Sequence, residues 1–257
     1  MSVPSVLVHR DAELLAKAVA ARLIVGLVDA QAAKGSAHVV LTGGGMGIAT
    51  LAEVAATTAH AAVEWPRLDV WWGDERFLPS GDPERNETGA RAALLDRVDL
   101  DPARVHVMRG PDSGLSAGES AERYAEELRR AARPEDHGPV PSFDIVLLGI
   151  GPDGHVASLF PEMPALYEER PVAAVHGAPK PPPTRITMTL PTLNAARQVW
   201  VIAAGEEKAG AVRLALQDTG HFQIPAAGVR GRSRTLFLLD RAAASKIPPG
   251  LGRPASP

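Results

Sequence analysis

The sequence predicts an α/β protein: a mostly parallel, Rossmann-like layered sheet with helices on both faces, built as a single domain. Three observations carry this. Short apolar runs alternate with longer alanine-rich stretches along the whole chain. Several runs are continuous rather than alternating, as in Ile145-Val146-Leu147-Leu148, the pattern of strands buried on both faces of a parallel sheet. Strand-helix alternation in turn implies right-handed crossovers packed on that sheet.

Taken in order, the predicted strands are Val3–Val8, His38–Thr42, Leu68–Trp72, Val105–Met108, Phe143–Leu148, Gln198–Ala203 and Thr235–Leu239. Helical patterns fall between them at about 10–34, 46–62, 85–97, 116–132 and 206–218. Ser116 followed by Glu119 reads as an N-cap with a capping box. The segment Ala178-Pro179-Lys180-Pro181-Pro182-Pro183 reads as a rigid extended loop. The tail after about 247, rich in proline and glycine, is expected to fray. One domain over 1–257 accommodates all of this, a length ample for one core.

Composition narrows the function classes. Hydrophobic residues make up 45% and charged residues 22%, with a net charge of -3. That balance gives no electrostatic reason to expect nucleic acid or an anionic membrane. With no cysteine in the chain, disulfides, thiolate metal sites and cysteine nucleophiles are excluded. The eight histidines are widely spaced, so no local pair of metal ligands exists. The start lacks a secretory pattern and no apolar stretch is long enough to span a bilayer, so a cytoplasmic protein is expected.

Ligands of open α/β sheets bind beyond the carboxyl ends of the strands, and four segments fall there. In Leu41-Thr42-Gly43-Gly44-Gly45-Met46-Gly47, four glycines stand in five positions where a strand enters a helix. Such a loop lets backbone N–H groups approach an anion, although a tight turn alone would use some of the same glycines. Trp72-Gly73-Asp74-Glu75-Arg76 places three charged residues after an apolar strand, which fits either a site or a solvated loop. Gly149-Ile150-Gly151-Pro152-Asp153-Gly154-His155 satisfies G-x-G-x-x-G, but Asp153 would stand where a pyrophosphate belongs, and Pro161 and Pro164 cut short the helix that motif needs. A histidine two residues from a carboxylate, held on a glycine-rich loop, suits proton transfer near neutral pH. The fourth segment supplies Arg185 and Lys208; Lys208 sits in a first helical turn, where a bound anion would offset its conflict with the helix dipole. Gly114-Leu115-Ser116-Ala117-Gly118 matches a nucleophile elbow in spelling, but no strand runs directly into it.

Together, LTGGGMG at 41–47, WWGDERFLP at 71–79, FDIVLLGIGPDGHVASLFP at 143–161, KPPPTRITMTLPTLNAA at 180–196 and VWVIAAGEEKAGAV at 199–212 resemble the 6-phosphogluconolactonases, which are related in fold to the glucosamine-6-phosphate deaminases. The resemblance implies hydrolysis of 6-phospho-D-glucono-1,5-lactone to 6-phosphogluconate, in the oxidative pentose phosphate pathway, without metal or cofactor. It makes His155 the general base, with Asp153 and Asp74 as polar neighbours. Gly43, Gly44, Gly45, Arg76, Arg185 and Lys208 become phosphate and oxyanion contacts. Two positions depart from the pattern. Gly45-Met46-Gly47 lacks the hydroxyl residue common in the glycine loop, and Arg85-Asn86 stands where Ser-Asn is common, leaving Asn86 as the matching member. The implied partner is a small sugar-phosphate lactone, with the chain a monomer or weak homo-oligomer. The alternatives are an amino-sugar-phosphate deaminase or isomerase and a non-catalytic sugar-phosphate sensor. The deaminase loop runs His-x-Ala-Phe-Asn-Glu-Pro, and Ser158-Leu159-Phe160-Pro161 lacks its glutamate.

Overall fold

The apolar runs fold as parallel strands: β1 (Pro4–His9), β2 (Ala37–Leu41), β3 (Leu68–Trp72), β5 (Ile145–Gly149), β8 (Gln198–Ala203) and β9 (Arg234–Asp240). The computed structural model describes residues 3–136, 138–217 and 219–255. With β10 (Gly252–Pro254), these strands form a seven-stranded sheet in the order β10-β1-β9-β8-β5-β2-β3. Every pairing in it is parallel. All five residues of β2 and of β3 are buried, which is why their sequences show no alternation.

The pleat divides each strand between two cores. Ile145 and Leu147 join Leu41, Trp72 and Leu238 on one face, beneath α1 (Ala12–Lys34) and α2 (Gly44–Ala56). Val146 and Leu148 join Trp71, Val201 and Phe237 on the other, with Tyr124 and Leu128 of α4 (Ala117–Ala131) and Val212 of α6 (Ala209–Ala215). Asp11 starts α1 by accepting from the Leu14 N–H at 2.9 Å, and Gly35 ends it in the left-handed region at φ 77°, the usual cap pair. Ser116 and Glu119 form the expected capping box on α4.

The second face also carries a structure absent from the sequence reading, a three-stranded antiparallel sheet. Its order is β4 (Asp74–Arg76), β7 (Arg185–Met188), β6 (Val172–Val175). Gly73 alone separates β3 from β4, and it serves both sheets. Its N–H donates to Leu41 O at 3.1 Å, and its carbonyl accepts from the Met188 N–H at 2.8 Å.

Three expectations are corrected. Val105–Met108 is not a strand: only Val105 bridges to Val70. Beyond that point the edge of β3 is taken by a side chain, since the Trp72 N–H donates to the Tyr124 hydroxyl at 2.9 Å. The tail pairs rather than frays, with β10 parallel to β1 and the Ala255 N–H on Val8 O at 2.9 Å. Two of the five helical patterns stand as α1 and α4, and the other three are shorter and interrupted. The 46–62 pattern becomes α2 and a 3-10 turn at Thr58–Ala62, and 85–97 becomes α3 (Asn86–Ala93) and a turn at Leu95–Arg97. The 206–218 pattern becomes a turn at Glu206–Lys208 and α6, and its last residue, Asp218, lies outside the described residues. A one-turn helix, α5 (Leu190–Leu193), links β7 to β8. No helix among the described residues is long and apolar enough to cross a membrane.

Candidate active site

At the carboxyl ends of β2, β3, β5 and β8, where the small sheet abuts the large one, lies a cavity of about 190 Å³. It is lined by Thr42, Gly43, Gly44, Asp74, Arg76, Asn86, Gly149, Ile150, Gly151, His155, Ala157, Lys180, Arg185 and Lys208. Segments more than 160 residues apart in the chain converge there because parallel strands deliver their following loops to one edge. Two grooves along α1 are larger, at about 380 and 390 Å³, but neither contains a histidine.

The loop after β5 presents His155. The Gly151 N–H donates to His155 O at 2.9 Å, the Gly154 N–H donates to Gly151 O at 2.9 Å, and the Ala226 N–H fastens Gly154 O at 3.0 Å. A side chain at Gly151 would strike both the His155 ring and the Asp153 carboxylate, so this tight path needs glycine there. His155 Nδ1 stands 2.6 Å from Asp153 Oδ1. A carboxylate on that side fixes the proton on Nδ1 and leaves Nε2 as a base. Burial pushes the Asp153 carboxyl up. The His155 hydrogen bond and charge, together with the Lys180 ammonium, outweigh this and hold it well below the usual carboxylate range. Asp153 is thus ionised at any working pH. It stands behind His155 and does not itself line the cavity.

Asp74 is buried and held at both carboxylate oxygens. Its Oδ2 accepts from the Ser158 hydroxyl at 2.6 Å, and its Oδ1 accepts from Asn86 Nδ2 at 3.2 Å. Ser158, which the sequence reading passed over, reaches back because Ala157 turns the chain at φ 49°, a conformation that non-glycine residues rarely adopt. Asn86 Nδ2 also donates to Asp74 O at 2.9 Å. Gly43 is where the glycine loop meets this pair, since any Cβ there would collide with the Asn86 amide oxygen. Asn86 therefore ties Asp74 to the glycine loop.

Gly43 and Gly44 line the cavity, and Gly45 lies one residue further, in the first turn of α2. No side chain caps α2, so its first N–H groups face the site. Around the opening stand Arg76, Lys180, Arg185 and Lys208, against Asp74: a cationic spot on a chain of net charge -3. Arg76 Nη1 donates to Glu84 O at 2.6 Å, while its Nε is buried without a partner. Lys208 makes no ion pair among the described residues. Arg185 lines the cavity while its Nε and Nη2 donate to the carbonyls of Pro182, Lys180 and Pro181 at 3.1, 3.1 and 2.9 Å.

Two further charged residues brace this wall, and neither belongs to the sequence-derived set. Glu75 Oε1 accepts from the N–H groups of Arg76 and Asn86 at 2.8 and 2.7 Å, and Oε2 from Glu87 at 2.8 Å. It thereby caps α3 from a distance. Arg85, at the position that departs from the family pattern, is buried. It donates to Leu78 O, Met108 O and Glu87 Oε2 at 3.0, 2.7 and 3.0 Å.

Fold and site together define a parallel α/β protein with a histidine–carboxylate pair beside a small cavity lined by a cluster of cations. A family model for glucosamine-6-phosphate isomerases/6-phosphogluconolactonase matches residues 10–238, and the chain belongs to that family. It is 60% identical over 256 residues to a 6-phosphogluconolactonase of Streptomyces coelicolor, covering 98% of each chain. The solved 6-phosphogluconolactonase of Trypanosoma brucei is 30% identical, with a TM-score of 0.77 over 95% of this chain and 99% of that one. A monomeric glucosamine-6-phosphate deaminase superposes with a TM-score of 0.75 at 23% identity, so the fold alone does not separate the two activities.

Proposed function

We propose that this chain hydrolyses 6-phospho-D-glucono-1,5-lactone to 6-phosphogluconate, the second step of the oxidative pentose phosphate pathway. The observation that carries the mechanism is His155, tied at Nδ1 to an ionised Asp153 and free at Nε2 beside a cation-lined cavity. Nε2 takes a proton from water as the oxygen adds to the lactone carbonyl carbon. The negative charge passes to the carbonyl oxygen, where nearby N–H groups or cations lower the barrier. The tetrahedral intermediate then collapses with cleavage of the ring C–O bond. The imidazolium returns its proton to the departing ring oxygen, giving the open acid.

In this reading the phosphate rests on the α2 N-terminus with its loop Gly43, Gly44 and Gly45, and on Arg76 and Lys208. The buried Arg76 Nε without a protein partner supports it, because an unsatisfied guanidinium N–H is costly unless a ligand fills it. Asp74, held by Ser158 and Asn86, orients sugar hydroxyls.

The test is hydrolysis of freshly generated lactone, followed against its spontaneous rate. His155→Ala should fold normally and lower kcat by about 10²–10⁴-fold. A His155→Ala protein with unaltered kcat would remove that residue from the mechanism.

A further inference from the structure

The sequence placed Arg185 with the anion contacts; in the structure it lines the cavity and also holds a neighbouring loop. It is buried, and it points Nε and Nη2 at three successive carbonyls of the loop between β6 and β7. That loop contains Pro181, Pro182 and Pro183, which have no N–H to donate. A planar guanidinium suits such a row of acceptors, and a lysine does not. The loop carries Lys180, whose Nζ stands 3.6 Å from Asp153 Oδ1. That oxygen is the one His155 Nδ1 meets at 2.6 Å. Phe160 separates Arg185 from the base: the Arg185 guanidinium carbon is 5.6 Å from its ring centre, and the His155 ring is 4.5 Å from the same ring.

We propose that Arg185 and Lys180 form one positioning unit: Arg185 clamps the proline loop, and Lys180, so held, supplies the counter-charge that keeps His155 a free base. The proposal rests on the hydrolase reading above. Its physical basis is a three-body balance. Asp153 alone favours the imidazolium, because an anion stabilises an adjacent cation. An ammonium beside the same carboxylate opposes that preference and keeps Nε2 able to accept a proton. The other charged groups around the cavity are Asp74, Arg76 and Lys208. Asp74 is committed to Ser158 and Asn86, and only Lys180 among the cavity's cations is paired with Asp153.

The test compares Lys180→Met, Arg185→Lys and the double variant. In Lys180→Met the acidic limb of the kcat/KM profile should move up by about one pH unit, the order expected for a unit charge some ångströms away at partial burial. Preference for the phosphorylated over the plain lactone should not change. Arg185→Lys keeps the charge but loses the clamp, so it should show the same shift, and the double variant should exceed neither single one. Nuclear magnetic resonance titration of the His155 ring gives the same answer without turnover: the ring should titrate about one pH unit higher in Lys180→Met than in the unaltered chain. An unmoved ring titration would overturn the role of Lys180, even if the protein hydrolyses the lactone. Additive effects of the two substitutions, with selective loss on the phosphorylated lactone in Arg185→Lys, would return Arg185 to the anion. If Arg185→Lys does not fold, Lys180→Met alone decides the counter-charge. Absence of lactone hydrolysis by the unaltered chain would strike the proposed function, while the ring titration would still report on the unit.

Discussion

Replacing Arg76 by methionine keeps most of the apolar stem and removes the guanidinium from the wall of the cavity. In the structure Nη1 already serves Glu84 O, and the buried Nε has no partner. The loss toward an anion is therefore one or two charge-assisted hydrogen bonds. Each contributes about 1.5–3 kcal/mol, and a tenfold change corresponds to about 1.4 kcal/mol. One bond gives a fall in kcat/KM of roughly 10–100-fold on 6-phosphogluconolactone, and two give up to about 10⁴-fold. On plain gluconolactone, which has no phosphate to meet, the same substitution should cost less than about threefold. The assay is stopped-flow acid release with a pH indicator on both lactones, corrected for spontaneous hydrolysis. Part of the loss should appear in kcat, because binding energy remote from the carbonyl helps to position it. An equal fall on both substrates would refute the phosphate assignment and recast Arg76 as a brace for the 76–84 loop.

Other outcomes follow from the same contacts. Asp153→Asn can present an amide N–H to His155 Nδ1 and so favour the tautomer protonated on Nε2; kcat should fall by about 10²–10⁴-fold with the fold intact by circular dichroism. Burial pushes the Glu75 carboxyl up to about 7, against Arg85 and three backbone N–H donors that favour its charge. Its folded value lies above its unfolded one, so its contribution to stability is full below about 4.5 and is lost as pH rises to about 7. The span is about 3 kcal/mol. Melting temperatures across that window should decline less in Glu75→Gln than in the unaltered chain, and parallel curves would rule Glu75 out as the source. Activity should survive exhaustive treatment with EDTA; loss restored by one particular metal would show that the hydrolytic mechanism is incomplete.

The parallel sheet was legible because β2, β3 and β5 are buried on both faces and spell uninterrupted apolar runs. The small sheet was not. β4 has only three residues, Asp74, Glu75 and Arg76, and these look like a polar loop until β7 pairs with them. Arg185 opens β7 beside a proline-rich stretch, so its β neighbours gave no periodic signal. The same distinction governs the site. His155 and Asp153 announce themselves because their interaction is local, two residues apart on one loop. Ser158 and Lys180 act on partners far along the chain, as Ser158 does on Asp74, and Glu75 acts on the start of α3 across a loop. Ser158 sits only three residues from His155, yet nothing in its spacing shows that it turns away from the base toward Asp74. Val105–Met108 failed for a related reason: its apolar spelling suits a strand, but the Tyr124 hydroxyl occupies the edge it would have extended.

Gly73 is a hinge of inheritance as much as of backbone. On its main-sheet side the chain holds the glycine loop, Lys208 and the histidine dyad. On its small-sheet side it holds Asp74, Arg76, Arg185 and the loop bearing Lys180. The proposed base and most of the proposed phosphate contacts therefore hang from the main sheet, and the small sheet brings Asp74, Arg76 and the Arg185–Lys180 pair to them across a seam. Substitutions in the small sheet can retune what faces the bound sugar, and the charge beside Asp153, while the strands that carry the base stay as they are. A family that spans lactone hydrolysis and amino-sugar chemistry on one architecture has, in that seam, a physical place where the two can diverge.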